Sequence, residues 1–186
     1  MAAIIPRWEW RTFGQRFGDA EASFAAMTPT GVNDSDETYL LATGTGASGD
    51  TVVKIRFDLM DVKLLREVSP AGLERWEPVL KAGFPMSAAD VARVSEALHL
   101  ASSDFAREEY TLQQLLDEVV GPGGTVRVVP VHKHRVRYTV GGCSAEVSDV
   151  VADGRSIRTI AIESEDAAAV VEAVRSVGLE GYVNTN

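Results

Sequence analysis

The residues best equipped for chemistry in this sequence are basic side chains at alternate positions. Lys133, Arg135 and Arg137 stand two apart in the segment 131–140, where Val131, Tyr138 and Val140 mark a β-strand. Residues i, i+2 and i+4 of a strand face one side, so three cations point at one surface within roughly 13 Å. Lys54 and Arg56 repeat the pattern, Lys63 follows in the next segment, and Arg11 precedes them near the N-terminus. Such a row repels itself unless water, carboxylates or a polyanion lies over it. Candidate carboxylates are Glu9 early in the chain and Glu146, Asp149, Glu163 and Glu165 late in it. Guanidinium groups grip phosphate bidentately, ammonium groups act as point charges, and carboxylates hold hard cations through oxygen. On a solvated sheet face these rows only keep a protein soluble; on the inner face of a barrel they bind phosphate.

The elements that must position these residues are mostly strands. Arg7–Phe13 alternates aromatic and polar residues, with Trp8 and Trp10 on one face and Glu9 and Arg11 on the other. In a half-exposed strand that second face would simply be solvated. Residues 38–42, 51–57, 60–68, 125–129, 131–140, 143–151 and 156–165 read as further strands, with Pro130 separating two of them. Gly141-Gly142 and Asp153-Gly154 are hairpin signals and make the last three strands an antiparallel meander. Gly31–Glu37 reads as a polar turn, and Leu73–Ala82 as a short helix mixed with an extended piece. Gly44–Gly49 reads as a hairpin loop; no Gly-Lys-Ser/Thr follows, so a phosphate-binding loop is not indicated.

Helices are expected at 18–30, at 87–98 with Ser87 as N-cap, at 110–120, and at 166–177 with Asp166 at the positive end of the dipole. These are packing elements without evident chemistry. Strands with charges on one face and apolar residues on the other need helices over the apolar side. They also need water or a polar lumen on the charged side. The expected fold is therefore α+β: an antiparallel β-barrel, a tunnel of about eight strands with helices packed outside, formed as a single domain over 1–186.

The 186 residues are 45% hydrophobic and 24% charged, with a net charge of −9. An acidic chain does not favour nonspecific nucleic-acid binding. No apolar run reaches the roughly 20 residues that span a bilayer, and the first residues lack the pattern of a signal peptide. The single cysteine, Cys143, rules out an intrachain disulfide and fits a reducing cytoplasmic compartment. No feature demands a dimer, and an oligomer is compatible with the sequence. His132 and His134 share the face opposite Lys133; a metal site built on them needs further ligands, and surface histidines are the default.

The order of these charges resembles the CYTH superfamily, the triphosphate tunnel metalloenzymes. The resemblance covers most of the chain. It rests on Tyr39-Leu40, Lys54-Ile-Arg56, Asp61-Val-Lys63, Lys133-His-Arg135-Val-Arg137, Glu146-Val-Ser-Asp149 and Ile162-Glu163-Ser-Glu165, followed by a helix and Gly178-Leu179. It implies a phosphohydrolase that takes a triphosphate or inorganic polyphosphate into a basic tunnel. Arg11, Lys54, Arg56, Lys63, Lys133, Arg135 and Arg137 would bind phosphate. Glu9, Glu146, Asp149, Glu163 and Glu165 would hold Mg²⁺ or Mn²⁺. The family's first strand reads Glu-x-Glu-x-Lys. Here it reads Glu9-Trp-Arg11-Thr-Phe13, with Arg11 in place of the second carboxylate and Phe13 in place of the lysine. A lost carboxylate and an added cation favour a non-catalytic module that binds polyphosphate, a nucleotide or another organic phosphate. A third reading is an interaction domain with a vestigial tunnel. Glu146 and Asp149 have opposite parity, so both face inward only if a bulge lies between them.

Overall fold

The computed structural model describes residues 5–43, 49–100 and 105–185. Eight strands close into an antiparallel barrel in the order β1-β10-β9-β8-β2-β3-β4-β5. These are β1 (Arg7–Gly14), β2 (Gly31–Ala42), β3 (Thr51–Arg56), β4 (Leu59–Val68), β5 (Glu74–Gly83), β8 (Val126–Val140), β9 (Cys143–Ala152) and β10 (Arg155–Ser164). Two short strands, β6 (Met86–Ser87) and β7 (Glu109–Tyr110), pair separately. The helices are α1 (Asp19–Ala25), α2 (Ala88–Ala97), α3 (Leu112–Gln114) and α4 (Ala167–Ser176). No helix among the described residues is long and apolar enough to cross a membrane. The expected hairpin loop 44–49 lies almost wholly outside the described residues.

The chain divides into two compact units. The first comprises 1–35, 65–77 and 132–186; the second comprises 36–64 and 78–131. In the first, Trp10, Val140, Cys143, Ala145, Ile160 and Ile162 project from one face of their strands. They pack against Phe17, Ala20 and Phe24 around α1 and Val170, Ala173 and Val174 of α4. Val170, Ala173, Val174 and Val177 recur at helical spacing, so α4 lays one apolar stripe on the sheet. In the second unit, Leu40, Val53, Ile55, Met60 and Val62 do the same beneath Val91 and Val94 of α2 and Leu98 just past its end. Because side chains alternate, burying these residues under helices turns their neighbours, Glu9, Arg11, Lys54, Arg56, Asp61 and Glu146, to the opposite face.

Local chemistry fixes the ends of these elements. Ser87 Oγ accepts the Asp90 amide and caps α2, as the sequence predicts. Thr111 and Gln114 form a reciprocal capping box at α3, which runs on into a wide π-helical stretch, Leu115–Val120, rather than a regular α-helix. Both predicted hairpin turns adopt positive φ at their two central residues, Gly141-Gly142 and Asp153-Gly154.

Three expectations are corrected. Gly31–Glu37 is the first half of β2 and not a turn; it is a strand with polar residues on both faces, so the usual alternation is missing. Leu73–Ala82 contains no helix: Trp76 and Leu80 are buried from an extended β5, and their four-residue spacing imitates a helical period. Pro130 does not divide β8. It is exposed, and the strand runs through it unbroken for 15 residues.

Candidate functional site

In the first unit the charged face of β1 is not solvated. Glu9 is only 7% exposed. Arg11 donates from Nε to Glu9 Oε1 at 2.8 Å and reaches Glu146 Oε1 of β9 at 3.3 Å. It also donates to Thr159 Oγ1 of β10 at 3.2 Å. Its backbone is held from outside the barrel strands. Asn184 Oδ1 accepts the Arg11 amide at 2.7 Å and Asn184 Nδ2 donates to the Gly72 carbonyl; the Thr185 amide donates to the Arg11 carbonyl. Arg135, 3% exposed, donates to Ser35 Oγ at 2.6 Å and lies 3.6 Å from Glu146 Oε2. Glu146 is thus shared by two guanidinium groups, which suits a carboxylate with four lone-pair sites.

Glu163 pairs with Arg7 at 2.8 Å. It stands directly opposite Glu9 across β10, while Glu74 stands opposite Glu9 on the other side, across β5. Three carboxylates in register on adjacent strands repel one another unless cations intervene. Glu74 accepts a hydrogen bond from the Trp76 indole. Beside the Arg11 cluster, Ser148 is fully buried opposite Thr159 in register. Among the described residues, its hydroxyl and the Asn33 carbonyl oxygen make no hydrogen bond. A buried polar atom without a partner costs about 1–3 kcal/mol.

In the second unit Glu37 of β2 has no exposed side-chain surface. Its carboxylate receives Lys54 Nζ at 3.3 Å and faces Arg56 at 3.7 Å. Lys54 is directly opposite Asp61 and two residue pairs from Val52–Lys63, so Lys54, Arg56, Lys63 and Asp61 share a face. Burial holds the Lys54 ammonium below its ordinary pKa; Glu37 opposes that effect, and the charges of Arg56 and Lys63 add to it.

The structure therefore gathers Glu9, Arg11, Arg135 and Glu146 in one cluster and Lys54, Arg56 and Lys63 in another. Lys133 shares the face of Arg135 and is half-buried; Arg137 shares it and is exposed. Asp149 faces the other way. The β9–β10 register runs without a bulge, and Asp149 binds Arg158 at 2.7 Å on the exposed side. Glu165 is exposed beyond the end of β10. Glu37, Glu74, Ser148 and Asn184 escape a sequence reading. Glu37 falls in the polar stretch taken for a turn, and Asn184 acts from a segment without periodicity.

Among the described residues no three His, Cys, Asp or Glu side chains are placed to hold a metal ion. Arg11 lies between Glu9 and Glu146, where its guanidinium supplies the positive charge that a bridging cation would supply. As arranged, these carboxylates do not fit a divalent metal.

No protein-family model matches the chain, and no curated protein matches it in sequence. Solved structures do. One, described as a proposed adenylate cyclase from Bacillus halodurans, superposes with a TM-score of 0.53 at 10% identity, covering 97% of this chain and 95% of that one. A conserved hypothetical protein from Pyrococcus furiosus gives 0.51 at 14% identity, covering 93% and 91%. These likenesses establish the fold, an eight-stranded antiparallel barrel with helices packed on it.

Proposed function

We propose that the chain binds the phosphoryl chain of a triphosphate or inorganic polyphosphate on the charged faces of its barrel strands, without a metal bridging Glu9 and Glu146. The observation that carries this reading is Arg11, half-buried between those two carboxylates at 2.7 and 3.3 Å. A guanidinium in that position exchanges a carboxylate for a phosphate oxygen with little change in geometry. Arg135, Lys133 and Arg137 on β8, and Lys54, Arg56 and Lys63 on β3 and β4, are the other proposed phosphate ligands. The unpartnered Ser148 hydroxyl supports an additional polar occupant, because a phosphate oxygen or a water would satisfy it. The neighbour from Bacillus halodurans is described as a cyclase, a class that acts on a nucleoside triphosphate, and the same ligand chemistry would suit this chain.

A second reading is hydrolysis of the bound chain with Mg²⁺ or Mn²⁺. The row Glu74, Glu9 and Glu163 favours it, since such a row invites a cation. Glu146, and Asp149 and Glu165 if they turn inward, would complete the ligand set of this reading. The two are separated by thermal unfolding with tripolyphosphate in metal-depleted buffer, alongside phosphate release from tripolyphosphate, ATP and thiamine triphosphate with each metal. Metal-independent stabilisation without turnover is expected, and the joint change Arg135→Ala and Arg137→Ala should abolish it. Turnover that requires metal would replace the first reading with the second.

A further inference from the structure

Within the first unit, the strand registers order the charged face into rows that run across β1, β10 and β9. Glu9, Glu163 and Ser144 form the first row, and Arg11, Ala161 and Glu146 the second. Phe13, Thr159 and Ser148 form the third, and Ile157 and Val150 the fourth. Successive rows lie two residues apart, about 7 Å along the strands. Alternation assigns all of them to one side, because Trp10, Ile160, Ile162 and Ala145 between them are buried in the core under the helices. The face is therefore graded: carboxylates at one end, then a guanidinium, then two hydroxyls beside an aromatic ring, then aliphatic side chains. The apolar end is only partly covered. Phe13 is 42% exposed and Ile157 37%, while Val150 beside Ile157 is buried. The hydroxyl row is unsatisfied as well. Ser148 Oγ is buried without a hydrogen-bond partner among the described residues. Thr159 Oγ1 accepts from Arg11 and loses that donor once Arg11 turns to a phosphate.

We propose that the Phe13 end of this face is a subsite for the aromatic ring of an organic phosphate, with Phe13 selecting such a ligand over an inorganic phosphate chain. The inference rests on the phosphate reading of Arg11 and names its ligand class: a heteroaromatic ring joined to its phosphates through a hydroxyl-bearing linker, as in a nucleoside triphosphate. The order of the rows matches the order of groups in that ligand. A phosphoryl group held by Arg11 sets its ester substituent toward Phe13, one row away along the same strand. The linker then meets Thr159 and Ser148, whose hydroxyls call for a polar partner. The ring meets Phe13 and Ile157, stacks offset or edge-on, and covers apolar surface now open to water. A bare polyphosphate gains none of this. Continued past Arg11, its charges would lie against Phe13, Ile157 and Val150, which offer no hydrogen bond in exchange for lost hydration.

The test is calorimetric titration of the full chain in metal-depleted buffer with ATP and, separately, with tripolyphosphate. The parent chain should bind ATP more tightly than tripolyphosphate. Phe13→Ala should lower the ratio of ATP affinity to tripolyphosphate affinity by at least about fivefold, the low end of what a stacked base loses with its aromatic partner. Ile157→Ala should lower that ratio by less, and Phe13→Trp, which keeps a ring in place, should hold or raise it. Tripolyphosphate binding as tightly as ATP in the parent chain, or a ratio that Phe13→Ala leaves unchanged, overturns the subsite while the phosphate reading stands. Binding of neither ligand overturns both.

Discussion

The two charged regions use the same residue types and reach opposite balances. In the first unit Arg11 and Arg135 share Glu146, Arg11 also holds Glu9, and Arg7 holds Glu163, so each guanidinium already has a carboxylate. In the second, Lys54, Arg56 and Lys63 share a face with Glu37 and Asp61 among the described residues, and Glu37 is drawn toward two of the cations. The first region is neutralised from within and structurally committed. The second carries surplus positive charge, so an anion adds more there than in the first. A buried pair is costly to break because it strands its partner, and the two regions should therefore respond differently to the same kind of change.

The largest effect is expected at Glu37. Glu37→Ala leaves Lys54 and Arg56 facing each other in a largely buried place, and should cost about 3 kcal/mol in urea unfolding. Tripolyphosphate should restore more stability to this variant than to the parent chain, since it supplies the missing negative charge. Equal restoration in both would remove the distinction between the regions. Arg135→Ala comes next, at about 2 kcal/mol, the scale of charge-assisted hydrogen bonds to Ser35 and Glu146. Here the ligand should restore nothing, because the lost group is itself a proposed ligand.

Asn184→Ala should cost about 1 kcal/mol by freeing the Arg11 amide and the Gly72 carbonyl. If Asn184 positions Arg11, tripolyphosphate affinity falls with it; an unchanged affinity would confine Asn184 to stability. The smallest effect is one of pH. Lys54 has a folded-state pKa below its ordinary 10.5, so between the two values the unfolded chain binds the extra proton. The stability lost to charging Lys54 is therefore present below the folded pKa and is recovered as pH rises toward 10.5. Unfolding at increasing alkaline pH should show the parent chain gaining relative to Lys54→Met. A parallel pair of curves would place the Lys54 ammonium in an unperturbed setting.

How much of this was legible in the sequence follows from where the apolar residues lie. Trp8 and Trp10 against Glu9 and Arg11 declare a two-residue period, and the structure buries the pairs on opposite faces as that period requires. Lys54 and Arg56 are legible for the same reason, because Val53 and Ile55 beside them belong to the core. β2 was legible only from residue 38 onward. Its first half turns Ser35 and Glu37 to the charged side and Asp34 and Asp36 to the other, and its one apolar residue, Val32, is exposed and too isolated to reveal a strand. Glu37 therefore carries no strand signal in the sequence. Glu146 and Asp149 were distinguishable in principle, since odd and even positions diverge and no bulge rescues Asp149. Glu74 and Asn184 were not, because their roles depend on strand register and on a tail whose placement is a tertiary fact.

The central claim is that Arg11 and its neighbours bind a phosphoryl chain without a metal. Calorimetric titration of the chain with tripolyphosphate in metal-depleted buffer tests it most directly. The account predicts saturable binding that weakens with added salt and is largely lost in Arg11→Glu, which would place a second carboxylate beside Glu9. Binding that appears only when Mg²⁺ or Mn²⁺ is supplied, or that strengthens in Arg11→Glu with metal present, would contradict it.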